Sequence, residues 1–219
     1  MNVIDKLVSE GIYIFPEPFA TQEQVEKIIS LTEDKLDPDD GSYEFGRAGR
    51  IGPIEDWIGT TVHDIFSRPS LWALASIFME KEMDTAPFFN ELFVTHDYRS
   101  DQGLARNGEL HFDRIETFKF FMYLTDCDRD SGAFRYVPES YQIGKKLRVE
   151  ARDNISEYEK IKNRLELAYP KLGYTFADSI PVEGPAGTII AFHSDVFHVG
   201  GHVADGKERR VIRLHLRGE

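Results

Sequence analysis

The chain has 219 residues and carries 26 Lys and Arg against 38 Asp and Glu, a net charge of −12. This disfavours a surface built to hold nucleic acid or an anionic membrane. With 41% hydrophobic and 29% charged residues the composition is that of a globular protein, and no apolar run approaches the ~20 residues needed to cross a bilayer. A single cysteine, Cys127, excludes an intramolecular disulfide and a cysteine-built metal site. No basic leader precedes Asp5 and Glu10, so the expected setting is a reducing cytoplasm.

Taken in order, residues 3–8 read as a short helix and Gly11–Phe15 as a strand that stops at Pro16 and Pro18. Thr21-Gln22-Glu23-Gln24 has the spacing of a capping box. It opens a helix through about Lys35 with Val25, Ile28, Ile29 and Thr32 inward. Residues 37–59 have no convincing period and contain Arg47, Gly49, Arg50, Gly52 and Pro53. Two readings stand for them: a mobile surface loop, or a lid that brings Arg47 or Arg50 to an acidic substrate. Helices are expected at 60–67 and 70–81, the second with Leu71, Leu74, Ala75 and Phe78 inward. Pro87–Thr95 is an aromatic strand, and a polar loop, 99–108, leads to His111.

From Glu116 to Leu124 the pattern alternates, with Phe118, Phe120 and Met122 on one face and Lys119, Phe121 and Tyr123 on the other. Ala133–Val137 is a strand closed by Pro138. A helical insertion is expected over about 140–172, where the run Lys145-Lys146-Leu147-Arg148 reads as a solvated helix face. Gly187–Phe192, Val196–Val199 and Arg209–Leu216 are strands, the last with Arg209, Val211, Arg213 and His215 on one face. Helices first and many short strands after predict an α+β domain with a mainly β core, an antiparallel sandwich or barrel. The whole chain, 1–219, reads as one domain, helical over 1–83 and β over 84–219.

The chemistry concentrates at Leu110-His111-Phe112-Asp113-Arg114. On an extended backbone residues i and i+2 share a face, so His111 and Asp113 can meet one small ion. Two histidines and a carboxylate on one face of an octahedron leave three positions open, which suits non-haem Fe(II). His198, within Phe192–His202, is the candidate third ligand, and His193, His202 and His215 compete for that role. Arg209 follows His198 by 11 residues and can anchor the far carboxylate of a bidentate acid ligand. A one-residue slip of the strand would put Arg210 there instead, and Arg213 is a candidate second anion contact. Lys119 either reaches a ligand or is exposed.

These pieces, with Tyr123-Leu124-Thr125-Asp126, Ser131–Tyr141, Gly187–Phe192 and His198-Val199-Gly200-Gly201, resemble the Fe(II)/2-oxoglutarate-dependent dioxygenases of the phytanoyl-CoA dioxygenase-like family, over roughly residues 87–217. Departures are Glu139 and Tyr141, where that family has Gly and His, Thr188 in place of Asp, and His202 near a common Asn. The resemblance implies a double-stranded β-helix (jelly roll) with N-terminal and inserted helices. It implies Fe(II) held by His111, Asp113 and His198, 2-oxoglutarate held by Arg209, and O2 as oxidant. The expected reaction oxidises a C–H bond of a small molecule, with succinate and CO2 released. Asp113 stands where related halogenases have alanine, which favours hydroxylation. Arg47, Arg50, Arg106 and Arg114 point to an anionic substrate, and Phe112, Phe121 and Tyr123 are candidates to line the cavity. The competing expectations are a jelly-roll metal enzyme that does not use 2-oxoglutarate and a non-catalytic binding protein.

Overall fold

The computed structural model describes residues 3–36, 46–79, 89–98, 109–113, 115–152 and 165–217. Helix α1 (Val3–Glu10) leads into strand β1 (Ile12–Ile14), and α2 (Gln22–Thr32) follows. The start of α2 is fixed as its sequence predicts. The Thr21 hydroxyl accepts from the Gln24 N–H, and the Gln24 side chain accepts from the Thr21 N–H. Strand β2 (Gly46–Gly52), α3 (Thr61–Phe66) and α4 (Pro69–Phe78) complete the N-terminal part. Pro69 sits in the first turn of α4, where its missing N–H is not needed. Strands β3 (Phe89–Asp97), β4 (Phe118–Tyr123) and β5 (Phe134–Tyr136) precede α5 (Tyr141–Arg152). Strands β6 (Ile180–Pro181), β7 (Ile189–His193), β8 (His198–Gly200) and β9 (Arg209–Arg217) end the chain.

Six strands form one antiparallel sheet in the order β1-β7-β4-β9-β3-β2, and three form a second in the order β6-β5-β8. Consecutive strands thus fall in different places of the two sheets, as in a jelly roll. The alternation of β4 separates two cores. Phe118, Phe120 and Met122 join Ile212, Leu214 and Leu216 of β9 under α1–α4, with Leu7, Ile28, Ile65 and Leu71 from the helices. Phe121 and Tyr123 face Phe134, Tyr136, Ile190 and Val211 between the sheets. A third cluster, with Leu110, Phe112, Leu147, Leu165 and Phe197, packs α5 against the small sheet. All six residues of β4 are buried, which is why a lysine at 119 needs a partner.

Residues 46–57 differ from the unstructured loop that their sequence predicts. They form β2, paired with β3, and a 3₁₀ turn at Ile54–Trp57. Three glycines in seven residues erase any alternation there, and they answer to close backbone contacts. A side chain at Gly46 would collide with the His96 carbonyl, and one at Gly49 with the Lys35 carbonyl. Neither arginine of this strand is a free anion contact. Arg47 reaches Glu33 (2.5 Å) and His96 (3.3 Å), and Arg50 pairs with Glu91. The remainder of the expected lid, 37–45, lies outside the described residues, as do 99–108, Arg106 and Arg114. The expected insertion is present as α5 and the turn Leu165–Ala168, with 153–164 outside the description.

Candidate metal centre

His111 and His198 are brought together by their own backbones. The His111 N–H donates to the His198 carbonyl (3.1 Å) and the His198 N–H to the His111 carbonyl (2.8 Å). This closed pair sets the two imidazoles side by side, with ring centroids 4.4 Å apart. No longer strand is needed around His111. The segment ends after one bridge, and the Asp113 N–H then donates to the Ser194 carbonyl (2.9 Å), which fixes the carboxylate. The Asp113 Oδ1 lies 3.9 Å from His111 Nε2 and 3.8 Å from His198 Nε2. The three potential ligand atoms all fall within 4.8 Å of one another.

The donor chemistry fits a divalent ion. His111 Nδ1 lies 2.8 Å from the Glu109 carbonyl and His198 Nδ1 lies 2.7 Å from the Val196 carbonyl. A carbonyl only accepts, so both Nδ1 atoms carry the proton and both Nε2 lone pairs face the site. Burial holds both imidazoles below their ordinary pKa, with His111 adding to the effect at His198, so they stay neutral. Burial alone would raise the Asp113 carboxyl, but the Lys119 ammonium paired with it holds it well below the usual carboxylate range. Lys119, eight per cent exposed, ion-pairs with Asp113 Oδ2, so the exposed-lysine alternative does not hold. Phe134 and Phe192 flank the His198 ring at 5.8 and 5.1 Å.

A cavity of about 180 Å³ is lined by His111, Asp113 and His198 and by Lys119, Arg209 and Arg213. Phe121, Phe134 and Phe192 form its apolar lining. Of the three aromatics named from sequence, Phe121 is in place. Phe112 instead packs 5.9 Å from Tyr169 and 6.1 Å from Phe197, and the Tyr123 hydroxyl donates to the Val182 carbonyl (2.7 Å). The register of β9 puts Arg209 rather than Arg210 inside. Arg209 Nε and a terminal nitrogen donate to Asp97 Oδ2 (2.9 and 2.7 Å), and the other terminal nitrogen to the Gly132 carbonyl (2.6 Å). Arg210 turns outward to Glu33 (2.6 Å). Asp97 had no local signal in the sequence; only the pairing of Asp97 with Arg209 across β3 and β9 reveals it.

The competing histidines are placed elsewhere. His202 is exposed beside Phe176, His215 stacks on Phe93 (4.6 Å), and His96 meets Glu208 (2.6 Å). His193 forms a second histidine–carboxylate cluster with Glu116 (3.3 Å) and Asp195 (3.3 Å). Arg148 occupies that cluster, reaching Asp195 (2.6 Å) and Glu116 (2.8 Å). This corrects the expectation of a solvated face at 145–148: Lys145 and Lys146 are exposed, but Leu147 and Arg148 are buried. Glu139 has a left-handed φ of +61°, a conformation that glycine adopts without strain.

The phytanoyl-CoA dioxygenase (PhyH) family model matches residues 13–211. No curated protein matches the chain. Among solved structures, the epimerase SnoN in complex with Fe3+, alpha ketoglutarate and nogalamycin RO is similar at 12% identity and a TM-score of 0.66, covering 98% of this chain and 82% of that one. EvdO2 from Micromonospora carbonacea var. aurantiaca, complexed with 2-oxoglutarate, is similar at 12% identity and a TM-score of 0.64, covering 100% and 91%. HygX from Streptomyces hygroscopicus, with nickel, 2-oxoglutarate and hygromycin B bound, is similar at 15% identity and a TM-score of 0.58, covering 97% and 85%. At these identities the likeness is one of fold, and it is the match over 13–211 that carries the assignment. The chain belongs to the phytanoyl-CoA dioxygenase family and is an Fe/2-oxoglutarate-dependent oxygenase-type enzyme.

Proposed function

We propose that the protein hydroxylates a C–H bond of a small molecule, with 2-oxoglutarate and O2 consumed and succinate and CO2 released. His111, Asp113 and His198 hold the iron and Arg209 holds the co-substrate's distal carboxylate. The observation that carries this reading is the union of both halves in one cavity: three candidate ligand atoms within 4.8 Å of one another and a buried arginine line the same space. The balance is one substrate C–H and one O2 in, one C–OH out, with the second oxygen atom entering succinate as 2-oxoglutarate loses CO2. Iron chelated by the 2-oxo acid supplies the activation of O2.

The chain's own residues do the positioning. The paired backbones of His111 and His198 set the two imidazoles, and the Ser194 carbonyl orients Asp113 by accepting from its N–H. Asp97 fixes the Arg209 guanidinium before any ligand arrives, which lowers the cost of ordering it. Phe121, Phe134 and Phe192 give the cavity an apolar wall. Because Asp113 fills a coordination position with a carboxylate, no halide position is left, which supports hydroxylation. The substrate is a small molecule, and its setting is a reducing cytoplasm, consistent with the single buried thiol of Cys127.

Purified protein with Fe(II) and 2-oxoglutarate, given a panel of metabolites, is expected to release succinate in proportion to oxidised product. His111→Ala and Asp113→Ala are expected to abolish that release. A wild-type protein that, loaded with Fe(II), neither binds nor consumes 2-oxoglutarate would overturn the reading.

A further inference from the structure

Three cationic side chains line the cavity, and two of them already face a carboxylate: Lys119 with Asp113, and Arg209 with Asp97. Arg213 does not. It lies on β9 on the same face as Arg209, between Phe93 of β3 and Phe121 of β4. Its guanidinium carbon sits 5.6 Å from the Phe93 centroid and 5.9 Å from the Phe121 centroid. Its Nε is buried, and among the described residues no hydrogen bond reaches it.

We propose that Arg213 is the binding residue for an anionic group, a carboxylate or a phosphate, of the primary substrate. A buried N–H left without an acceptor is unfavourable. Packing between two rings is favourable for an arginine but leaves its in-plane N–H groups unmet. Those groups form the planar fork that matches an oxyanion, and the two rings already hold the fork in one orientation. The co-substrate does not account for it. Arg209 and Arg213 are four residues apart on one strand, a rise of about 13 Å, and a five-carbon diacid that reaches from the metal ligands to Arg209 leaves Arg213 to a second ligand.

Charge points the same way. The fixed groups Asp113, Lys119, Asp97, Arg209 and Arg213 sum to +1, from three cations and two carboxylates. A divalent metal and a dianionic co-substrate cancel each other, so the loaded site keeps that one positive charge for a substrate anion. The inference rests on the co-substrate reading above only in assigning Arg209 to 2-oxoglutarate.

The test uses the folded chain loaded with redox-silent Zn(II) and saturating 2-oxoglutarate. Benzoate and inorganic phosphate serve as probes, and their dissociation constants are read by NMR titration. Wild type is expected to bind at least one probe, and the preferred probe names the group. Arg213→Gln is expected to weaken it by tenfold or more, while the dissociation constant of 2-oxoglutarate stays within twofold. Arg209→Gln is expected to do the reverse. Arg213→Lys, which keeps the charge and loses the fork, is expected to fall between wild type and Arg213→Gln; it carries the test if the glutamine variant does not fold. Equal probe binding in wild type and the Arg213 variants, or a tenfold loss of 2-oxoglutarate binding in Arg213→Gln, overturns the proposal. If wild type binds no 2-oxoglutarate, the function reading fails instead, and the probe titration without 2-oxoglutarate still decides the role of Arg213.

Discussion

Two clusters in this molecule look alike by distance. His111, Asp113 and His198 bring three ligand atoms within 4.8 Å, and so do Glu116, His193 and Asp195. In the second cluster Arg148 bridges Asp195 and Glu116, so a cation is already built in. In the first, Lys119 holds one carboxylate oxygen and leaves the other facing two imidazole lone pairs. The first also opens on a cavity, and the second is packed under Phe78 and Tyr141. Proximity of donors therefore does not make a metal centre. An uncompensated set of lone pairs with room beside it is what distinguishes the first cluster from the second.

The clusters are nonetheless coupled. Asp195 lies in the turn that leads into β8 and His198, Asp113 is tied to Ser194 in that turn, and Arg148 clamps it from α5. A side chain at Gly144 would collide with the Asp195 carbonyl, so α5 lies directly on this turn. The second cluster, closed by Arg148, packs against the segment that leads into His198.

Substitutions break this comparison in graded ways. The largest effect belongs to a ligand. His198→Ala is expected to weaken Fe(II) binding beyond the ~10–100-fold that loss of an outer partner causes, with one metal per chain in wild type by elemental analysis and none retained in the variant. Next is Arg148→Met, which strands Asp195, fully buried, without its cation. It is expected to destabilise the fold by about 3–5 kcal/mol in denaturant titrations, yet leave the metal stoichiometry of the folded fraction at one. Two metals per chain in that variant would show that Arg148 had been masking a second site.

Smaller effects sharpen the same contrast. Glu139→Gly relieves a left-handed φ of +61° and is expected to stabilise by about 1 kcal/mol, read as a higher midpoint. Glu116 is half exposed, and its hydrogen bond to His193 depresses its pKa to about 2 despite partial burial. A depressed carboxyl stabilises the fold above its unfolded pKa, and that contribution is lost as pH falls from about 4.5 toward 2. The difference in stability between wild type and Glu116→Gln is therefore expected to be under about 1 kcal/mol at pH 7 and to vanish near pH 2.

The parts legible in the sequence are those with a local physical signature. The Thr21–Gln24 box and the alternation of β4 each act within a few residues, and each is where the pattern places it. The His111, Asp113 and His198 grouping was legible because two-residue spacing and a family pattern converge on it. What was hidden depends on partners far along the chain. Strand β2 has no alternation because its glycines answer to Lys35 and His96. Arg148 reads as one more charge in a basic run until Asp195, 47 residues on, is placed beside it. Asp97 is ordinary until the register of β3 and β9 sets it against Arg209, 112 residues away.

The most direct measurement is an anaerobic titration of the protein with Fe(II) and 2-oxoglutarate, followed by the visible charge-transfer absorption that iron chelated by a 2-oxo acid produces. The site described here predicts a band that saturates at one iron per chain, is lost in Asp113→Ala, and persists in Glu116→Gln. A band that survives in Asp113→Ala, or that never forms in wild type, would contradict it.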